Sequence, residues 1–224
     1  MDFLRQVLRG GFRVLGHVYS YKLHLKLVGF RDALYTLWIR NFLGETGAAS
    51  SFHYPISLQG GGSRHIHVGA RTSIESHGIL GCWETFGKDQ HYEPEIIIGE
   101  DCNIGEYCHI TAIHRITIGN NLLTGRFVYI GDHAHGGLSL EEATIPPIQR
   151  PLQSKGEIVI GDNVWIGDKV TILSGVNIGN NVIIAANAVV TKDIPSNSIA
   201  AGVPARVVKS EEFRIKSLEL RVKR

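Results

Sequence analysis

Ile160-Gly161-Asp162-Asn163-Val164-Trp165 opens a run that returns every six residues: Ile166-Gly167-Asp168-Lys169-Val170-Thr171, Ile172-Leu173-Ser174-Gly175-Val176-Asn177, Ile178-Gly179-Asn180-Asn181-Val182-Ile183, Ile184-Ala185-Ala186-Asn187-Ala188-Val189 and Val190-Thr191-Lys192-Asp193-Ile194. An aliphatic residue leads each hexad, a Gly or other small residue usually follows, an Asp, Asn or Lys tends to sit in the middle, and a small or β-branched residue comes fifth. Helices repeat at 3.6 and strands at 2, so a period of six belongs to neither alone. It indicates a parallel β-helix, in which each short strand is one side of a coil and coils stack on one another. The leading aliphatics point inward, while Gly and Asn supply turn conformations that a Cβ resists. Three hexads per coil put residues eighteen apart in register, so Ile160 lies under Ile178, Ile166 under Ile184 and Ile172 under Val190.

A weaker form of the rhythm runs earlier. Ile98-Gly99 to Asn103 and Ile104-Gly105 to His109 are clean hexads ending at Ile110, and after a two-residue offset Ile118-Gly119 restarts the pattern through Thr124 to Ile130. Val68-Gly69 to Ile74 reads as a degenerate first coil. Residues 60–205 thus read as one all-β solenoid, broken once, between His135 and Glu157, with an inserted loop over 136–157.

At 224 residues, 43% hydrophobic and 20% charged, the chain fits one well-buried domain with a small appendage. A net charge of +2 gives no nucleic-acid footprint. Cys102 and Cys108 hold the same fifth position of consecutive hexads, where a small inward residue belongs, and read as reduced core thiols. With no signal-peptide pattern and no apolar stretch long enough to span a bilayer, the expected location is cytoplasmic.

Residues 1–45 differ in character. Phe3, Leu4, Val7, Leu8, Val14, Leu15, Val18, Tyr19, Leu23 and Leu27 recur at roughly helical spacing, interspersed with Arg5, Arg9, Arg13, Lys22, Lys26, Arg31 and Arg40. Two readings stay open: helices that cap the first coil, or a basic amphipathic surface in peripheral contact with the inner face of a membrane. At the other end, residues 206–224 read as a short C-terminal helix, with Ser210 as N-cap, Glu211 and Glu212 in the first turn and Arg221, Lys223 and Arg224 in the last.

Chemistry needs an interruption of so regular a surface. The break begins at Gly131-Asp132-His133-Ala134-His135-Gly136-Gly137, and imidazole titrates near neutrality, so it can take a proton from a hydroxyl and return it without a metal. No nucleophile elbow or phosphate-binding glycine loop occurs. Direct transfer assisted by a base therefore ranks above a covalent intermediate.

The hexads, the Asp132-His133-Ala134-His135-Gly136 turn, Asp162 to Gly167, Val190-Thr191-Lys192-Asp193-Ile194-Pro195 and Ala201-Gly202-Val203-Pro204-Ala205-Arg206 together resemble the hexapeptide-repeat acyltransferases. Among these the chain is most similar to polysaccharide O-acetyltransferases, relatives of the galactoside and streptogramin acetyltransferases, over about residues 60–209. The resemblance implies a left-handed parallel β-helix, a homotrimer with sites between subunits, acetyl-CoA as co-substrate and a sugar or surface glycan as acceptor. By the same match the catalytic base is His135, five positions after Ile130, with His133 or Asp132 orienting it. Asp168, Ala186, Thr191, Lys192, Arg206 and Lys209 fall where relatives contact acetyl-CoA, and Trp165 where a tryptophan lies near the acceptor. Two departures stand: Gly105 occupies the place of an acceptor-binding asparagine, and His114 that of an asparagine common in the subgroup, which makes His114 a candidate acceptor contact.

Three alternatives remain at this level. The spacing of His109 and His114 resembles the zinc histidines of γ-class carbonic anhydrases, the acceptor is a sugar amine or small xenobiotic, or the solenoid is a scaffold without activity.

Overall fold

A computed structural model describes residues 1–87, 89–137 and 139–210. Beyond the N-terminal helices the chain winds through three parallel sheets in strict rotation. One face holds Ile66–Val68, Glu95–Ile98, Arg115–Ile118, Ile158–Ile160 and Asn177–Ile178. The second carries Ser51–Phe52, Ser73–Ile74, Asn103–Ile104, Leu123–Thr124, Trp165–Ile166, Ile183–Ile184 and Ser198–Ala201, and the third carries Ser57–Gln59, Ile79–Cys82, His109–Ala112, Tyr129–Gly131, Thr171–Ile172 and Val189–Val190. Within the coils, each of these strands pairs in parallel with the strand one coil away and not with the next in sequence. The expected register holds: Ile160 pairs with Ile178, Ile166 with Ile184 and Ile172 with Val190. The two-residue offset marks longer coils, since Asn103 pairs with Leu123 and His109 with Tyr129, twenty positions on.

The leading aliphatics form columns inside the stack, and Ile66, Ile96, Ile116, Ile158, Ile166, Ile172 and Ile178 are all fully buried. Corners are turned by one left-handed residue each: Asp101, Asn121, Asn163 and Asn181 at one corner and Tyr107, Phe127, Lys169 and Asn187 at the next, with φ from 56° to 60°. Asn and Asp tolerate this conformation best among residues with a Cβ. Tyr107 stacks between His77 and Phe127, with ring centroids 4.6 and 4.9 Å away.

Cys82, Cys102 and Cys108 are buried free thiols. Cys102 and Cys108 donate to the carbonyls of Gly119 and Gly125 at 3.2 and 3.3 Å. Burial raises all three, Cys82 to about 12, aided by the nearby Asp132 charge. Because the thiolate is the reactive form, the native protein is expected to leave a thiol-specific disulfide reagent unconsumed, and the denatured chain to consume three equivalents. A fast-reacting native thiol would show that one of these rows is open to solvent.

The structure departs from the sequence reading in three places. The stack begins before residue 60: Ser51–Phe52 already pairs with Ser73–Ile74, and Ser57–Gln59 with the strand at Ile79. Among the described residues it is interrupted twice, not once. The connection from the third face to the first is tight at Ile113-His114 but opens into a hairpin at Thr85–Phe86 and Gln90–His91 one coil earlier, and into the long excursion after Gly131 one coil later. Arg206–Ser210 is a strand, not the start of a helix: it folds back antiparallel on Ser198–Ala201 and satisfies the backbone groups of an otherwise open edge. The rest of the expected C-terminal helix lies outside the described residues.

Within residues 1–45, α1 spans Asp2–Val18 and α2 spans Tyr21–Ile39. The C-terminal half of α2 caps the first coil, burying Asp32, Thr36 and Ile39. Thr36 Oγ1 donates to the Phe52 carbonyl (3.1 Å) and accepts from its N–H (2.9 Å).

Candidate active site

Both excursions leave from the same corner of the coil, and they meet. The Phe86 ring sits edge-on to His135 at 5.1 Å. Tyr92 Oη donates to the Leu152 carbonyl and accepts from its N–H, both at 3.1 Å, and Leu152 N–H also reaches Gln90 Oε1 at 3.2 Å. Ala134–His135 pairs antiparallel with Leu152–Gln153, so the root of the long excursion is a two-stranded ribbon.

Asp132 lies beneath this ribbon and is completely buried. Its carboxylate is fully engaged: Oδ1 accepts from the Ile113 N–H at 2.9 Å, Oδ2 from the His114 N–H at 2.9 Å, and Oδ1 faces His133 Nδ1 at 3.1 Å. A carboxylate oxygen can only accept, so Nδ1 of His133 carries the proton and Nε2 keeps its lone pair. The His133 side chain is only 10% exposed. Its geometry is that of an oriented base, with a carboxylate fixing the tautomer and two main-chain N–H groups fixing the carboxylate.

On the third face near His133, neighbouring side chains close over a row of small residues. In the row Gly81–Thr111–Gly131, a Cβ on Gly131 would collide with the Tyr129 hydroxyl, and one on Gly81 with Thr111 Oγ1. Trp83 Nε1 donates to that same Thr111 Oγ1 at 3.1 Å. His109 packs edge-on to Tyr129 at 5.3 Å, and its buried Nε2 has no hydrogen-bond partner among the described residues. Burial, and then the neighbouring His133, hold the His109 imidazole below its ordinary range; burial, and then Asp132, push the Tyr129 phenol up. His109, Tyr129, Trp83, Phe86 and Tyr92 thus join the site, though the sequence reading gave none of them a role in transfer.

Residues 157–192 match the family described as bacterial transferase hexapeptide, six repeats. That stretch of the chain carries the hexapeptide repeat of this family. It is 39% identical over 128 residues to an Escherichia coli protein, WbbJ, named as a lipopolysaccharide biosynthesis O-acetyl transferase, a match covering 55% of this chain and 65% of that one. It is 36% identical over 145 residues to the galactoside O-acetyltransferase of Escherichia coli, covering 59% of this chain and 66% of that one. The chain therefore spans just under two thirds of the length of these relatives. Among solved structures, the N-acyltransferase AntD of Bacillus cereus, in complex with dTDP and 3-hydroxybutyryl-CoA, superimposes with a TM-score of 0.63 over 83% of this chain and 92% of its own, at 20% identity. That likeness is one of fold.

Within this hexapeptide-repeat chain the residues singled out by sequence fall into two groups. Asp132, His133, His135 and the main chain of His114 meet at the corner of the excursions. His135 is exposed, with no side-chain hydrogen bond among the described residues, and packs on Phe86, whereas Asp132 engages His133. Asp168 and Ala186 lie at the opposite edge of the third face, and Asp168 Oδ1 accepts the Arg126 N–H of the coil below at 2.9 Å. Thr191 and Lys192 are exposed just past the last strand of that face. The strands leading to His133 and to Thr191 lie two steps apart on it, about 10 Å. Trp165 is half-exposed on the second face between Leu123 and Ile183. Arg206 and Lys209 lie on the closing strand. Among the described residues no three His, Cys, Asp or Glu side chains converge as a metal site.

Proposed function

We propose that this chain transfers an acetyl group from acetyl-CoA to a sugar hydroxyl, with His133 as general base. The observation that carries the reading is the buried Asp132, which holds His133 Nδ1 and leaves Nε2 as the basic nitrogen beside the third face. In this scheme the acceptor hydroxyl gives its proton to Nε2 as its oxygen bonds to the thioester carbonyl carbon. The tetrahedral intermediate then collapses, the carbon–sulfur bond breaks, and the departing thiolate takes the proton back from the imidazolium. The products are an acetyl ester and CoA.

The donor residues suit an extended anionic nucleotide. Lys192, Arg206 and Lys209 are cations with fixed-charge or point-charge heads for phosphate, and Ala186 leaves room at the corner for main-chain contacts to the pantetheine arm. His135, expected from the residue count to be the base, becomes with Phe86 and His114 part of the acceptor wall. The finer features follow the family: a left-handed coil, a homotrimer with sites between subunits, Trp165 near the acceptor, and a role in the cytoplasm in making surface polysaccharide. The two relatives named as O-acetyl transferases support the hydroxyl acceptor.

The test is CoA release from acetyl-CoA, followed together with mass analysis of the acceptor, over a panel of nucleotide sugars, amino sugars and lipid-linked oligosaccharides. A mass gain of one acetyl group, on an ester labile to mild base, is the expected result. Transfer to an amine alone would replace the hydroxyl acceptor. An absence of acetyl-CoA binding in calorimetry would leave a scaffold.

A further inference from the structure

Helix α1 is an amphipathic element at the start of the chain. Every α1 side chain that the structure describes is exposed. Leu4, Val7 and Leu8 share one side of the helix at 64, 54 and 51% exposure, flanked by Phe12 at 70%. Arg5, Arg9 and Arg13 recur every four residues along the adjoining flank, next to Phe12, because residues four apart share a side of a helix. Between Asp2 and Asp32 the sequence has six Arg or Lys residues, Arg5, Arg9, Arg13, Lys22, Lys26 and Arg31, and no acid. With Asp2 in the first turn as its one acid, the polar side of α1 is predominantly basic.

That excess of cations says what covers the apolar side. A helix built to pair with another usually alternates acidic and basic residues along its flanks, which sets partner and register. A helix built for an anionic bilayer carries cations alone on its polar face and Leu, Val or Phe on the other, and lies in the plane of the surface. No described helix is long and apolar enough to cross a membrane, so a crossing by α1 is not at issue. We propose that α1 docks this protein on an anionic lipid surface, with Leu4, Val7, Leu8 and Phe12 in the acyl boundary and the three arginines among the headgroups.

The full chain should float with vesicles of phosphatidylcholine containing a third phosphatidylglycerol, and remain behind with phosphatidylcholine alone. Arg5→Glu/Arg9→Glu/Arg13→Glu is expected to lower the bound fraction about tenfold, and raised salt to act in the same direction because exposed charges are screened. Leu4→Ser/Leu8→Ser should release the protein even at low salt. The idea fails if the intact chain does not float with the anionic vesicles, or if charge reversal leaves flotation unchanged. It also fails if reversal alters only the oligomeric state by light scattering, which would assign α1 to contact between copies. His133→Ala should float like the wild type, so loss of docking and loss of transfer are read separately.

Discussion

His133→Ala is expected to lower kcat/KM for acetyl transfer by about 10² to 10⁴, the usual contribution of a positioned general base. The fold should survive, because the substitution removes one of three groups on Asp132 and leaves the main-chain donors of Ile113 and His114 in place. His135→Ala should act mainly on KM for the acceptor, since that ring is exposed and touches Phe86. Asp132→Asn separates orientation from basicity. Its amide places an N–H where a carboxylate oxygen accepted, so either His133 loses its fixed tautomer or a buried N–H loses its partner, and kcat falls with some loss of stability. Steady-state kinetics of the three variants, each checked by thermal unfolding, decide the matter. A fully active His133→Ala beside an inactive His135→Ala would return the base to His135.

Ile166→Ala is expected to destabilise the protein by about 2–5 kcal/mol, toward the upper end of that range. The side chain is fully buried, and its strand lies between Leu123–Thr124 and Ile183–Ile184. Hydrogen bonds hold both neighbours at a fixed spacing: Gly125 N–H donates to the Ile166 carbonyl at 2.7 Å, and Gly167 N–H to that of Ile184 at 2.8 Å. The coils cannot close over the missing carbons without breaking that ladder, so the cavity persists. Urea unfolding should show a lower midpoint at unchanged slope. A loss under about 1 kcal/mol would mean that the columns repack more freely than a rigid stack allows.

The sequence pattern carried the repeating part of the fold because each hexad states its own geometry. An aliphatic such as Ile172 must face inward, and an Asn such as Asn163 or Asn181 marks a corner whose φ is positive. Cys102 and Cys108 were legible as core thiols for the same reason. The segment from Trp83 to Glu95 was not, since a hairpin of Thr, Phe, Gln and His neither follows the hexad nor announces another rule. Arg206–Ser210 hid differently: two valines among basic residues suit a strand or a helix flank, and only the open edge of the last coil selects the strand. At the site, the pair of histidines marked the place, but their roles depended on burial. Asp132 beside two histidines looks like a polar turn until the N–H groups of Ile113 and His114, contributed by the preceding coil, close around it. His109 likewise occupies an outward strand position and is enclosed only by Tyr129, its register partner twenty residues later.

The shared corner of the two excursions bears on how such a chain can change in length. One residue added within a coil would move every following corner residue out of its left-handed slot and turn every following aliphatic outward, as a slipped strand does. Residues added between Trp83 and Glu95, or between Asp132 and Glu157, disturb no register, because the next strand re-enters the stack from outside it. Insertions and deletions are therefore tolerated at the excursions that form the proposed site and penalised where the coils stack, so the site can vary without re-solving the fold.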